Sequence, residues 1–154
     1  MLDYEVDGKR ILEVGCGIGL SSLVLNHRLA DITSTDYHPE VEPFLLENIK
    51  LNKGKKIPFV RMGWCDNNIS LGVFDLIIGS DLLYEPDHAE LLSCFIDNHA
   101  KQHCDVIIVD PGRGQHGRFS KKMVSLGYAH TQSKPVETDY LAQPFKGQIL
   151  SYSR

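Results

Sequence analysis

A chain of 154 residues, 42% hydrophobic and 23% charged, has the composition of one globular domain, and this length buries roughly 68–70% of the unfolded chain's surface. A formal net charge of −4 argues against the broad basic footprint that a general nucleic-acid binder needs to neutralise phosphates, though a small local basic patch is compatible with it. No apolar run approaches the ~20 residues that span a bilayer, and the opening MLDYEVDGKR lacks the apolar core of a signal peptide, so a cytoplasmic protein without membrane partners is expected.

Residues 1–9 are short and polar and turn at Asp7-Gly8. The rest of the chain is organised around Ile11 to Leu25, ILEVGCGIGLSSLVL. It reads as a buried strand carrying Ile11, Leu12 and Val14, then a turn with Gly15, Gly17 and Gly19, then an apolar helix start. Glycines at alternate positions permit a tight turn and let backbone approach a ligand with no Cβ between them. The helix after it presents unpaired N–H groups and a positive dipole end to that turn. This helix is expected from about Ser21 to Leu29, with Leu23, Val24 and Leu25 facing a sheet.

Asp31 to Thr35 reads as the second strand, ending at Asp36. Pro39 suits a helix first turn, although Pro43 moves the start later. From Glu40, the positions Val41, Phe44, Leu45, Ile49 and Leu51 follow a helical period up to Asn52-Lys53-Gly54. Ile57 to Met62 is a third strand, and Pro58 marks it as an edge strand. Gly63-Trp64-Cys65-Asp66 comes next. Phe74 to Gly79 is a strongly apolar fourth strand, and Ser80-Asp81-Leu82-Leu83-Tyr84 leaves its carboxyl end.

A helix starts at Asp87 with Leu91, Leu92, Phe95 and Ile96 on one face. Asp105 to Val109 is a fifth strand running into Asp110-Pro111-Gly112-Arg113. A helix from about Gly117 to Leu126 ends at Gly127, a capping position. Tyr128 to Pro135 and Lys146 to Tyr152 read as two closing strands, too close in sequence for a helical crossover and hence antiparallel.

Strands alternating with helices predict an α/β fold: a doubly wound, mostly parallel sheet with helices on both faces and a C-terminal antiparallel hairpin. Ligands of such sheets bind outside the carboxyl ends of the strands. Five suggestive loops fall on that edge: Gly15 to Gly19, Asp36 to His38, Gly63 to Asp66, Ser80 to Tyr84 and Asp110 to Arg113. Cys16, Cys65, Cys94 and Cys104 show no C-x-x-C spacing, and the seven histidines show no metal spacing, so reduced thiols and no metal site are expected.

The run Gly15-Cys16-Gly17-Ile18-Gly19-Leu20 departs from the dinucleotide fingerprint, which wants a glycine at the sixth place. With Glu13 ahead of it, the run resembles the first motif of the class I S-adenosylmethionine-dependent methyltransferases, whose sheet has seven strands and a last strand inserted beside the fifth. The resemblance implies S-adenosyl-L-methionine as cofactor, with the turn backbone against its methionine part and Asp36 on the ribose hydroxyls. The implied cofactor set is Glu13, Gly15, Cys16, Gly17, Gly19, Asp36, Tyr37, Gly63, Trp64 and Ser80. A carboxylate accepts two hydroxyl hydrogen bonds well and would repel a ribose 2′-phosphate. Asp36 is alternatively a turn or capping residue before His38-Pro39, and Cys16 a small apolar filler.

Asp81 and Tyr84, three apart after the fourth strand, resemble the D-x-x-Y motif of the family 16 protein methyltransferases, most of which modify lysine. Phe44 to Asn52 resembles that family's L-x-x-N-x-x-x-N helix, Trp64 the tryptophan that covers the adenine, and Asp110 to Arg113 the branch of the electron transfer flavoprotein β-subunit lysine methyltransferases. The resemblance runs from about Lys9 to the C-terminus.

It implies a protein lysine as acceptor, with Asp81 binding and orienting the amine and Tyr84 packing beside it and directing a hydrogen bond. A neutral amine at pH 7 costs roughly 4–5 kcal/mol from a pKa of ~10.4. A carboxylate works against that deprotonation, whereas desolvation and an adjacent sulfonium favour it. Asp81 as a turn cap, Tyr84 and Trp64 as packing residues, and Arg113 as either a surface cation or a substrate-loop residue remain the plainer alternatives.

Family members usually carry an N-terminal extension that helps close the pocket, and only about ten residues precede the first strand here. An open pocket is expected to bind cofactor more weakly and to exclude water less well. A truncated reading frame, completion by another subunit or a homodimer, and a binder without turnover are the three explanations. The rival functions are methylation of a small amine, methylation of a nucleic-acid base, and a non-catalytic cofactor-binding module.

Overall fold

The structure is a computed structural model that describes residues 4–66 and 69–154, Ile69 by its backbone alone. The first three residues of the polar opening segment lie outside it. The elements in chain order are β1 (Arg10–Val14), α1 (Leu20–His27), β2 (Asp31–Asp36), α2 (Val41–Leu51), β3 (Phe59–Arg61), a 3-10 turn (Ile69–Leu71) and β4 (Phe74–Ser80). After these come α3 (His88–His99), β5 (Ala100–Asp110), α4 (His116–Ser125), β6 (Ala129–Ser133) and β7 (Gln148–Ser153). They form one seven-stranded sheet in the order β3-β2-β1-β4-β5-β7-β6. Every pairing from β3 to β5 is parallel, and β7 runs antiparallel between β5 and β6. The doubly wound sheet with a closing hairpin is therefore as the sequence predicts.

The two faces of the sheet arise from strand alternation, since successive side chains point to opposite sides. Leu12, Val14, Ile77, Val106 and Ile108 share one core with Leu92, Phe95 and Ile96 of α3 and with Phe119 and Met123 of α4. Ile11, Ile32, Leu76 and Ile78 share the other with Leu25 of α1 and with Leu45 and Ile49 of α2. Being buried on both faces, β1 and β4 read as apolar runs, as interior parallel strands do.

Several boundaries and faces differ from expectation, each for a physical reason. Strand β3 has only three residues. The Pro58 carbonyl still accepts from the Ser34 N–H at 2.9 Å, but proline has no N–H of its own to continue the ladder. Strand β5 begins at Ala100 and runs eleven residues, its register with β4 shifting between Phe74 and Leu76. The buried face of α1 is Ser22, Leu25 and Asn26, whereas Leu23 and Val24 are only half-buried. Asn26 Oδ1 accepts from the Lys55 N–H at 2.9 Å, so a polar residue is satisfied inside.

Helix α2 buries Val41, Leu45 and Ile49, with Pro43 in its first turn, and leaves Phe44 and Leu51 exposed. Helix α4 ends as expected at Gly127, whose φ of +93° suits glycine. The Gly127 N–H reaches Val124 O at 3.0 Å and the Tyr128 N–H reaches Met123 O at 3.2 Å, closing the last turn. Among the described residues no helix is long and apolar enough to cross a membrane.

A carboxyl side chain also sits inside the face covered by α1. Glu13, on β1 beside Ile11, is 4% exposed. Its carboxylate accepts the Ser22 N–H at 3.0 Å and the Ser22 hydroxyl, and Ser22 Oγ lies 2.6 Å from Ser34 Oγ on β2. Burial pushes the Glu13 carboxyl above its usual range, against the lowering effect of these hydrogen bonds. A carboxyl that binds its proton more tightly when folded stabilises fully below its unfolded pKa of ~4.3, and that contribution is lost as the pH rises through the higher folded value. Glu13→Gln keeps an acceptor and should fold without this pH slope. Glu13→Ala should cost about 1–3 kcal/mol, because the Ser22 N–H is left buried and unpaired. Urea midpoints of the three proteins across acid to neutral pH test both statements.

Candidate functional site

The carboxyl ends of β1, β2 and β4 open on one cavity of about 450 Å³. After Val14 the chain turns through Gly15, Gly17 and Gly19, whose φ values are +61°, +51° and +78°. These are left-handed angles that a side chain resists. Gly15 also allows a close approach, since a Cβ there would stand 2.5 Å from Leu82 Cδ2. At Gly17 a Cβ would meet nothing within 4 Å, so the turn faces open space.

Asp36, at the end of β2, braces this turn. Its Oδ2 accepts the Gly17 N–H at 3.0 Å and its Oδ1 accepts the His38 N–H at 3.0 Å. Each oxygen keeps a further lone pair, and the residue lines the cavity. It thus serves as a turn brace, the plainer alternative, and remains available to a ligand.

Trp64 stands on the far wall, packed on the α3 core. Its ring meets His88 edge-on at 4.9 Å between centroids, and His88 meets Tyr84 at 4.6 Å. His88 Nδ1 lies 2.8 Å from the Leu82 carbonyl. A carbonyl only accepts, so Nδ1 carries the proton. His88 thereby joins the wall to the loop after β4. Sequence reasoning missed it, though its spacing of four from Tyr84 at a helix start was a usable signal.

Asp81 has a left-handed φ of +56° and its N–H donates to Val109 O at 2.9 Å. Its carboxylate takes both prongs of the Arg113 guanidinium, Nε to Oδ1 at 2.7 Å and Nη2 to Oδ2 at 2.6 Å. The Arg113 guanidinium holds the Asp81 carboxyl below the usual carboxylate range. Arg113, which the sequence left unassigned, is therefore a partner of Asp81. Tyr84 is about half exposed, and burial raises its hydroxyl above the usual value, with smaller contributions from the nearby Tyr37 and Asp36.

Of the residues expected at the site, Gly15, Asp36, Tyr37, Gly63, Trp64, Ser80, Asp81 and Tyr84 line the cavity together. Glu13, Cys16, Gly17 and Gly19 are not among its lining residues. Glu13 lies behind the turn, where its Oε2 accepts both the N–H and the hydroxyl of Ser22. Cys16 is buried, and burial together with Glu13 and Asp36 pushes its thiol up, so it stays protonated. Gly19 lies against Leu45, where a Cβ would come within 2.4 Å of Cδ1. Gly17 acts through its N–H on Asp36. Among the described residues no group of three or more His, Cys, Asp and Glu could hold a metal ion.

The lining is acidic. Asp36, Asp81 and Glu85 contribute carboxylates, and no lysine or arginine is among the lining residues. Such a cavity suits a cationic ligand with an aromatic portion and hydroxyl groups, and it repels phosphate. His88→Ala should release both ring contacts, each worth about 0.5–1.5 kcal/mol. The melting midpoint should fall by a few degrees, at roughly 2–4 °C per kcal/mol. Trp64 is the sole tryptophan, so its emission should move to the red and its quenching by acrylamide should rise.

The family model described as lysine methyltransferase matches residues 2–125, ending where α4 ends. The electron transfer flavoprotein beta subunit lysine methyltransferase of Mus musculus is 32% identical over 117 residues, 75% of this chain and 45% of that protein. Protein N-lysine methyltransferase METTL21A of Danio rerio is 36% identical over 87 residues, 52% of this chain and 39% of that protein. The chain thus spans less than half the length of these curated relatives. Among solved structures, the magnesium protoporphyrin IX methyltransferase of Synechocystis with bound SAM superposes with a TM-score of 0.77 at 18% identity, over 99% of this chain and 73% of that one. A TehB-like SAM-dependent methyltransferase from Corynebacterium glutamicum gives 0.75 at 20% identity, over 96% and 80%. These two likenesses establish the shared fold; the family match, which covers most of the chain, establishes more, and by it the chain belongs to the lysine methyltransferase family.

Proposed function

We propose that this chain binds S-adenosyl-L-methionine in the acidic cavity and methylates a lysine side chain of a protein. The observation that carries the reading is the cavity's charge: Asp36, Asp81 and Glu85 line it, and the one guanidinium that meets them, Arg113 on Asp81, comes from outside the lining. A cationic cofactor and a cationic acceptor both suit that field, whereas a dinucleotide pyrophosphate or a nucleic-acid backbone does not. The relatives named as protein lysine methyltransferases support the same acceptor class. The cofactor fits on the glycine turn, where Gly17 opens on free space beside Asp36.

Bound there, the cofactor would supply a methyl group already activated on a sulfonium. The protein's task is then chiefly alignment. Asp36 would take the ribose hydroxyls with its remaining lone pairs, and Trp64 would lie against the adenine. Asp81 would draw the ammonium in. The left-handed backbone and the N–H bond to Val109 anchor its main chain at the rim. Tyr84, whose hydroxyl stays protonated, would pack beside the amine and orient it by a hydrogen bond. Met62, Leu82 and Leu91 add apolar surface to the cavity, and desolvation against such surface favours loss of the amine's extra proton.

Calorimetry should find binding of S-adenosylmethionine and its demethylated product and none of NAD. Asp36→Ala should weaken cofactor binding by about 10–100-fold, the loss of hydrogen bonds to a charged acceptor. Radiolabelled methyl transfer to cell lysate should give a protease-sensitive, nuclease-resistant product. Asp81→Asn should abolish that transfer while cofactor affinity stays within about twofold. Equal loss of both, or a nuclease-sensitive product, would overturn the assignment.

A further inference from the structure

We propose that Arg113 occupies on Asp81 the position an acceptor cation takes, so that an incoming lysine ammonium exchanges with the guanidinium to reach the carboxylate. The inference rests on the amine-binding role proposed for Asp81 and adds a residue that decides which cations gain entry.

The geometry is that of a filled site. Both oxygens of Asp81 are engaged, at 2.7 and 2.6 Å, by the planar fork of one guanidinium. Such paired contacts are the most specific a carboxylate makes with a side chain. A second cation brought to the same oxygens meets the charge of the first, so sharing is disfavoured and exchange is the route. The two partners differ in how firmly they are held. Asp81 is fixed by a left-handed backbone and its hydrogen bond to Val109. Arg113 stands on a loop between Gly112 and Gly114, at φ +102° and +88°, and its long side chain is 49% exposed. The carboxylate therefore stays and the guanidinium leaves.

The pair is also weak enough to exchange. With Asp81 44% and Arg113 49% exposed, water replaces much of what each gives the other. An ammonium is a compact point charge that reaches a carboxylate without matching a planar fork. Arg113 thus acts as a threshold on acceptor binding. Neutral groups cannot displace it, and a cation must carry its charge to the rim to do so.

The test uses n-butylammonium, a mimic of the lysine side chain, titrated into the whole protein and monitored by NMR at the Asp81 carboxyl carbon and the Arg113 Nε–H. In the wild type, amine binding should release the Arg113 Nε–H from its protected state. Arg113→Gln should bind the amine about threefold to tenfold more tightly. Arg113→Lys, which keeps the charge and loses the fork, should fall between them, and Asp81→Asn should show no saturable binding. The proposal is overturned if Arg113→Gln binds the amine no more tightly than the wild type, or binds none. It is equally overturned if the Nε–H stays protected at amine saturation. These readouts need no turnover. Exchange without methylation of any acceptor would defeat the proposed activity alone, and Asp81-dependent methylation with indifference to Arg113 would defeat the threshold alone.

Discussion

A carboxylate in an apolar layer is costly unless its oxygens are taken up by donors. Glu13 meets that condition through the N–H and hydroxyl of Ser22, and Ser22 extends the link to Ser34. Thr35 adds a bond from its hydroxyl to the Glu13 carbonyl at 3.0 Å. In this way β1, β2 and α1 are joined by polar contacts inside a core otherwise made of Ile11, Ile32, Leu76 and Ile78. A buried polar network of this kind favours one packing of the three elements. It ties the end of β1 to the first turn of α1, and the residues between them take the left-handed turn at Gly15, Gly17 and Gly19.

The rest of the rim depends on that turn. Strands β2 and β4 flank β1, and their carboxyl ends lead to Asp36 and Asp81 respectively. The same residue type meets different partners on the two sides. Asp36 faces backbone N–H groups, which position it without cancelling its charge. Asp81 faces the full charge of a guanidinium. His88 couples the sides, because its Nδ1–H holds the loop after β4 while its ring stands between Trp64 and Tyr84.

Much of this arrangement was legible in the sequence. Buried parallel strands announce themselves as apolar runs, and four of the five loops at their carboxyl ends line the cavity, while the fifth, Asp110 to Arg113, reaches it only through the pairing of Arg113 with Asp81. Four features were hidden. The inward face of α1 carries Ser22 and Asn26, and apolar periodicity cannot reveal a helix face whose polar residues find partners inside. The exposed Phe44 and Leu51 mislead the same rule in the other direction, because α2 needs only Val41, Leu45 and Ile49 to cover its side of the sheet. The pairing of Asp81 with Arg113 joins residues 32 apart on different loops, and no local pattern encodes it. Glu13 was noticed for its place in the motif, yet only three-dimensional contacts separate a carboxylate behind the turn from one in front of it.

The antiparallel strand β7 has a consequence for the order in which the molecule is built. It follows β6 in sequence, yet it sits between β5 and β6, paired with Asp105 through Asp110 on one side and Ala129 through Ser133 on the other. During synthesis β5 therefore waits with one edge bare until residues 148–153 have left the ribosome. Its contacts with β7 are long-range in sequence, the kind that form late and slow a folding reaction. Until then β6 has no neighbour in the sheet, and the nascent chain presents an unpaired strand edge of the sort that chaperones shield and that aggregation recruits.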